Sequence, residues 1–365
     1  MSILKLIIIS FVFFQALVAE NKSLKDDIAD GYLDDYSKIE AAFILSGAPA
    51  DSMQYYLDWY NDLLSHIKGL NLEFNKPAET ARIVFTYLHS QWLKTYALES
   101  TTLIDITRHK EYNCVAATIL YNLICEDLGL TCDAFETPTH VYTIFKDFST
   151  QMLVENTNEM GFDIMSNLKA YSKYLAQYYP ENDVLKIGLD RLYYHENSKG
   201  RQISNTELLG LLAYNRAYFA RKKKDYKSAY DFVLLAQAFN NDSRSNVQFE
   251  IGLYYDWGDQ LFKEKKFADA FGVFADGYYR YPDNKDFLNN TFVTFFNCIQ
   301  TNWLNKSWPE SARLIEEINA LNILEKDDIN HIKSILYNWM QYFNSLHDQN
   351  KVNEVKQLLK RIENA

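Results

Sequence analysis

Three residues have the types and spacing of a thiol nucleophile with its supporting acid–base pair: Cys114, His140 and Glu155. A cysteine attacks as its thiolate, and the partial positive charge at a helix N-terminus favours that form. Cys114 opens a run of helical period, through Ala117, Leu120, Leu123 and Ile124, so it stands at such a terminus. The thiol also needs a base. Imidazole serves best when a carboxylate or amide fixes its tautomer and supports its positive charge. His140 begins a β-branched and aromatic run, and Glu155 lies in the run that follows. If the two runs are neighbouring antiparallel strands, the side chains can meet. The chemistry is then attack on a carbonyl: hydrolysis of an amide or peptide, or transfer of its acyl group to an amine. Asn156 is the alternative orienting residue. The backbone N–H of Cys114 is an oxyanion donor, with Gln91 and Trp92 as candidates for a second one.

Positioning these groups requires a helix laid against a hairpin. The pattern predicts a helix from Cys114 to Leu128, stopped by Gly129 in a left-handed conformation. Strands follow at Thr131–Phe135, His140–Phe145 and Gln151–Asn156. Upstream, Asp34–Leu45 and Ser52–Ile67 read as amphipathic helices, and Pro77 opens a third. Thr101–Thr107 is less periodic and reads as a connection. Beyond Gly161 the chain becomes helical again through Tyr171, Tyr174, Leu175 and Tyr178.

The motifs resemble the transglutaminase-like superfamily, which shares its core with papain-type cysteine proteases. The resemblance rests on Tyr112-Asn-Cys114-Val-Ala-Ala-Thr118, Pro138-Thr-His140-Val-Tyr142 and Val154-Glu-Asn-Thr157, and covers residues 75 to 165. It implies Cys114 as nucleophile, His140 as base and Glu155 as orienting acid, where the family's usual acid is Asp. Glu155 is one methylene longer, so the resemblance does not fix its reach to His140. The implied fold is an α+β transglutaminase-like (papain-like) cysteine domain at 76–200, after an N-terminal helical segment at 20–75.

The C-terminal half repeats. Tyr226-Lys-Ser-Ala229, Phe267-Ala-Asp-Ala270 and Trp308-Pro-Glu-Ser311 recur every 41 residues, with Val352-Asn-Glu-Val355 as a less regular fourth copy. Gly258, Ala270, Phe274 and Pro282 stand at tetratricopeptide-like offsets, which Ala217, Ala229, Val233 and Ala236 echo. This resemblance implies all-α helix hairpins over 205–365, a TPR-like repeat domain suited to a protein or peptide partner. A catalytically inactive scaffold holding such a partner is the rival to the thiol enzyme.

Composition limits the remaining classes. Of 365 residues, 48% are hydrophobic and 23% charged, with 27 Tyr and 23 Phe against 12 Gly and 6 Pro, which favours packed helices. A net charge of −11 argues against nucleic acid. The basic run Arg221–Lys224 reads as a solvated helix end. Residues 1–19 read as a signal peptide without a lipobox cysteine, implying a secreted or periplasmic protein with no other membrane segment. The histidines have no metal-ligand spacing and no phosphate-binding glycine loop is present, so neither metal nor cofactor is expected. Cys125 and Cys132 are either a disulfide or two buried thiols, and Cys298 is a core residue.

Overall fold

The computed structural model describes residues 23–148, 150–164, 172–173, 176, 179–188, 191–192, 195 and 198–363. The expected signal peptide, and the helix expected through Tyr171, Tyr174, Leu175 and Tyr178, lie outside them. The protein is mixed α/β, with small sheets and a helical C-terminal region. It divides into two compact units, Met1–Gln248 and Phe249–Ala365, so the first expected repeat falls in the first unit.

In the first unit, short α1 (Leu24–Asp27) precedes α2 (Lys38–Leu45), α3 (Met53–Lys68) and α4 (Pro77–Gln91). Ser37 and Glu40 form a capping box on α2, and Pro77 occupies the first turn of α4. After the two-residue β1 (Thr95–Tyr96) comes α5 (Leu103–His109), where the sequence pattern suggested only a connection. The reason is local: Thr102 and Asp105 form a second capping box, and Lys110 closes the helix in a left-handed conformation. Two caps can stabilise a helix too short to show a period. β2 (Glu111–Tyr112) pairs parallel with β1 and leads into α6 (Cys114–Asp127).

α6 is the central element of this unit. Every residue from Cys114 to Cys125 is buried, which explains why the helix is apolar on all sides. Gly129, at φ 77°, ends the segment as expected. A four-stranded antiparallel sheet covers α6, in the order β5 (Thr150–Val154), β4 (Val141–Asp147), β3 (Thr131–Glu136), β6 (Arg201–Ile203). β6 is too short to have left a sequence signal. Past α7 (Glu181–Ile187) and β6, the hairpin of α8 (Asn205–Lys222) and α9 (Tyr226–Phe239) adds Leu208, Leu209, Leu212 and Phe239 to the same core as α6.

The division falls within α10 (Arg244–Lys263), and the second unit continues through α11 (Phe267–Arg280), α12 (Lys285–Leu304), α13 (Trp308–Ala320), α14 (Lys326–Ser345) and α15 (Gln349–Glu363). Its aromatic core centres on Trp339, stacked on Phe343 and met edge-on by Trp303. The period resides in the backbone as well as the side chains. Lys224, Lys265, Lys306 and His347 each take a positive φ, between 57° and 62°, two residues before a second helix begins. These turns place the fourth copy at Gln349, not Val352. Val352 occupies the place of Ala229, Ala270 and Ser311, and its i,i+3 pairing with Val355 imitated the start of a unit. No described helix is long and apolar enough to cross a membrane.

Gly258 on α10 meets the ring of Phe274 on α11 so closely that an added Cβ would lie 2.4 Å from Cζ. Gly258→Ala gains helix propensity but forces the ring aside, so we expect a net loss of about 1–3 kcal/mol. Urea unfolding checks this. An unchanged midpoint for the second unit's transition would show that the ring moves freely.

Candidate active site

Cys114 is the first residue of α6 because Asn113 caps that helix. Asn113 is extended, and its side chain accepts a hydrogen bond from Ala116 N–H at 3.0 Å. The thiol therefore stands at the positive end of a buried helix, with only 9% of Cys114 exposed. Before it, Tyr112 packs edge-on against His89 and reaches the carbonyl of Thr157.

His140 lies one residue before β4, at the end of the tight turn Thr137-Pro-Thr-His140. Thr137 N–H donates to the His140 carbonyl at 2.8 Å, and His140 N–H donates to Thr137 Oγ1 at 3.0 Å. These reciprocal bonds fix where the imidazole leaves the hairpin. Glu155 likewise lies one residue beyond β5, where its N–H donates to Gly161 O at 2.9 Å. A Cβ at Gly161 would fall 2.0 Å from the Glu155 carbonyl oxygen, so this turn admits no larger residue.

The side chains converge. Glu155 Oε2 stands 2.7 Å from His140 Nε2, and the pair is almost wholly removed from solvent. The other carboxylate oxygen accepts from Thr157 N–H at 3.1 Å and from Thr157 Oγ1 at 2.5 Å. Thr157 thus fixes the longer glutamate and settles the question of its reach. Burial alone would lower the His140 pKa. The negative charge of Glu155 and hydrogen bonds with Cys114 and Glu155 overcome it, holding the imidazole well above its ordinary value. Glu155 is thus bonded to His140, and His140 and Cys114 line the same cleft.

No protein-family model matches the chain, and no curated protein matches it.

Asn156 faces elsewhere. Its amide donates to Thr143 Oγ1 at 2.8 Å and to Thr118 Oγ1 at 3.2 Å, tying the end of β5 to β4 and α6. The buried polar chain continues from Thr143 to Asn122 and from Asn122 to Asn205 on α8. Asn156 therefore supports the frame, and Glu155 is the residue at the imidazole. Gln91 is exposed, and Trp92 packs edge-on against Trp59. Neither lines the cleft at Cys114.

Sequence reasoning missed several contributors. His89, set aside there for lack of metal-ligand spacing, is close enough to feel the charge of Glu155. Its own burial nevertheless pushes its pKa down to about 4. Cys125 and Cys132 are two buried, unbridged thiols, one of the two arrangements expected of them; Cys132 Sγ donates to the Asn122 carbonyl at 3.6 Å, and burial pushes Cys125 up. Among the described residues, no cluster of His, Cys, Asp and Glu could hold a metal ion. The largest omission is α8. Leu211, Tyr214, Asn215, Tyr218 and Phe219 recur at helical spacing and form one wall of a cleft of about 370 Å³, with Cys114 and His140 on the other. The stripe is legible in the sequence, but nothing there reveals what it faces.

Because the native His140 pKa is raised, its contribution to stability is complete below the ordinary value of 6.5 and is lost as pH rises through the native value. Glu155→Gln should lower the imidazole pKa and flatten this alkaline loss. NMR titration of His140, with urea midpoints at stepped pH, measures both effects. An unchanged His140 titration in the variant would mean that Glu155 does not govern the imidazole.

Proposed function

We propose that this chain is an exported thiol enzyme of the transglutaminase-like superfamily, cleaving an amide or peptide bond or passing its acyl group to an amine. The observation that carries this reading is the line from Glu155 through His140 to Cys114 at a helix N-terminus, opening on a cleft. The order of helix and antiparallel strands and the motif spacing also support it. The hairpins from α8 onward are read as TPR-like repeats that hold a protein or peptide partner.

The chemistry uses each group once in each direction. The Cys114 thiolate attacks the carbonyl carbon, forming the C–S bond and placing charge on the oxygen. First-turn N–H groups of a helix have no intrahelical acceptor, so that of Cys114 is free to turn to this oxyanion. The imidazolium of His140 gives its proton to the departing amine as the C–N bond breaks. Water or an incoming amine then attacks the thioester and gives its proton to His140, and the thiolate leaves. Glu155 holds the ring throughout and supports its positive charge.

Iodoacetamide tests the reading on the intact protein. Cys114 should be alkylated near pH 7 at least about tenfold faster than Cys125, Cys132 or Cys298, because only it combines a helix terminus with an imidazolium. Peptide mass mapping over a time course gives the four rates. Equal and slow labelling would sink the enzyme and leave the scaffold reading in its place.

A further inference from the structure

The cleft beside Cys114 carries information about the substrate. Its volume, about 370 Å³, is near the lower end of the ~300–1,000 Å³ usual for ligand sites, so it takes a short piece of substrate. Two large apolar side chains stand at it while substantially exposed: Leu98 at 68% and Tyr218 at 49%. Covering them calls for an apolar group. The carboxylate lining the cleft, Glu136, is already engaged by Arg201 at 3.4 Å and by the Asn240 amide at 3.4 Å. Its charge is thus committed to the protein and does not select a cation. Among the described residues, a buried donor in this wall has no hydrogen-bond partner: Asn215 Nδ2. A buried amide left in this state is destabilising, and a substrate carbonyl would relieve it.

We propose that the cleft is an acyl-side pocket for an aromatic or large aliphatic side chain, held between Leu98 and Tyr218, with Asn215 donating to a carbonyl of the same substrate. The inference rests on the thiol-enzyme reading of the site. The acyl side is assigned because that part stays attached to Cys114 through both halves of the reaction, whereas the amine departs after the first. All these residues belong to the first unit, and Asn215 and Tyr218 come from a single stripe of α8.

Four N-acetyl aminoacyl chloromethyl ketones test this on the full chain, bearing Phe, Leu, Arg or Gly next to the electrophile. In each, the Cys114 sulfur displaces chloride to form a C–S bond, and intact-mass kinetics give the rate. The Phe and Leu reagents should label Cys114 about tenfold or more faster than the Arg and Gly reagents. Tyr218→Ser and Leu98→Ser should each shrink that ratio at least threefold. Asn215→Leu should slow all four reagents together. Rapid iodoacetamide labelling of Cys114 with equal rates for all four reagents overturns the pocket and leaves the thiol chemistry standing. An Arg preference overturns it too, by showing Glu136 to be available. Slow labelling of Cys114 by iodoacetamide and by every reagent overturns the enzyme reading and the pocket together.

Discussion

Burying an imidazolium next to a carboxylate is costly unless every remaining lone pair is occupied. Much of the first unit is arranged around meeting that condition for His140 and Glu155. One carboxylate oxygen goes to the imidazole and the other to Thr157, while the backbone of Glu155 is fixed by Gly161. The backbone from which the imidazole projects is fixed by the turn at Thr137. Its charged form is favoured because low local polarity strengthens the attraction as well as the desolvation, and here the partner is within hydrogen-bond distance. His89 shows the other outcome. Without such a partner on its own ring, the same surroundings keep it neutral.

A second constraint is the all-round burial of α6. A helix that packs on every face leaves only its ends for function. The N-terminal end is kept free of other duties by Asn113, whose side chain satisfies one of the exposed N–H groups and leaves Cys114 facing the cleft. The interior of the same helix carries Thr118 and Asn122, polar residues that join the buried chain running from Asn156 to α8. That chain links the hairpin bearing the acid–base pair, the helix bearing the thiol and the first element of the helix pairs.

Sequence patterns made the local parts legible for physical reasons. A capped helix stopped by glycine, β-branched runs and a fixed repeat period each leave their signature within a few residues, so α6, β3, β4 and the hairpin phase could be read directly. The juxtaposition of Cys114, His140 and Glu155 was expected from element order, motif spacing and the family resemblance together, with the reach of Glu155 left to the structure. Tertiary facts were not legible. Thr157 acts through two hydrogen bonds to a carboxylate whose position depends on the sheet, and β6 has no period at three residues. α5 was hidden because caps, not amphipathicity, define it. The fourth repeat was misphased because Val352 and Val355 satisfy the apolar pattern in the wrong frame, whereas the left-handed turn at His347 sets the true one.

The face that α8 turns toward Cys114 changes where the protein can be divided. By sequence, the helix pairs begin at residue 205 as a separable appendage. In three dimensions their first member walls the cleft and shares the core of α6. A graft made at residue 205 would carry away one side of the cleft and leave the Cys114 thiol facing water. The transplantable module therefore runs past residue 205 and through the first helix pair, up to the division of the chain after Gln248.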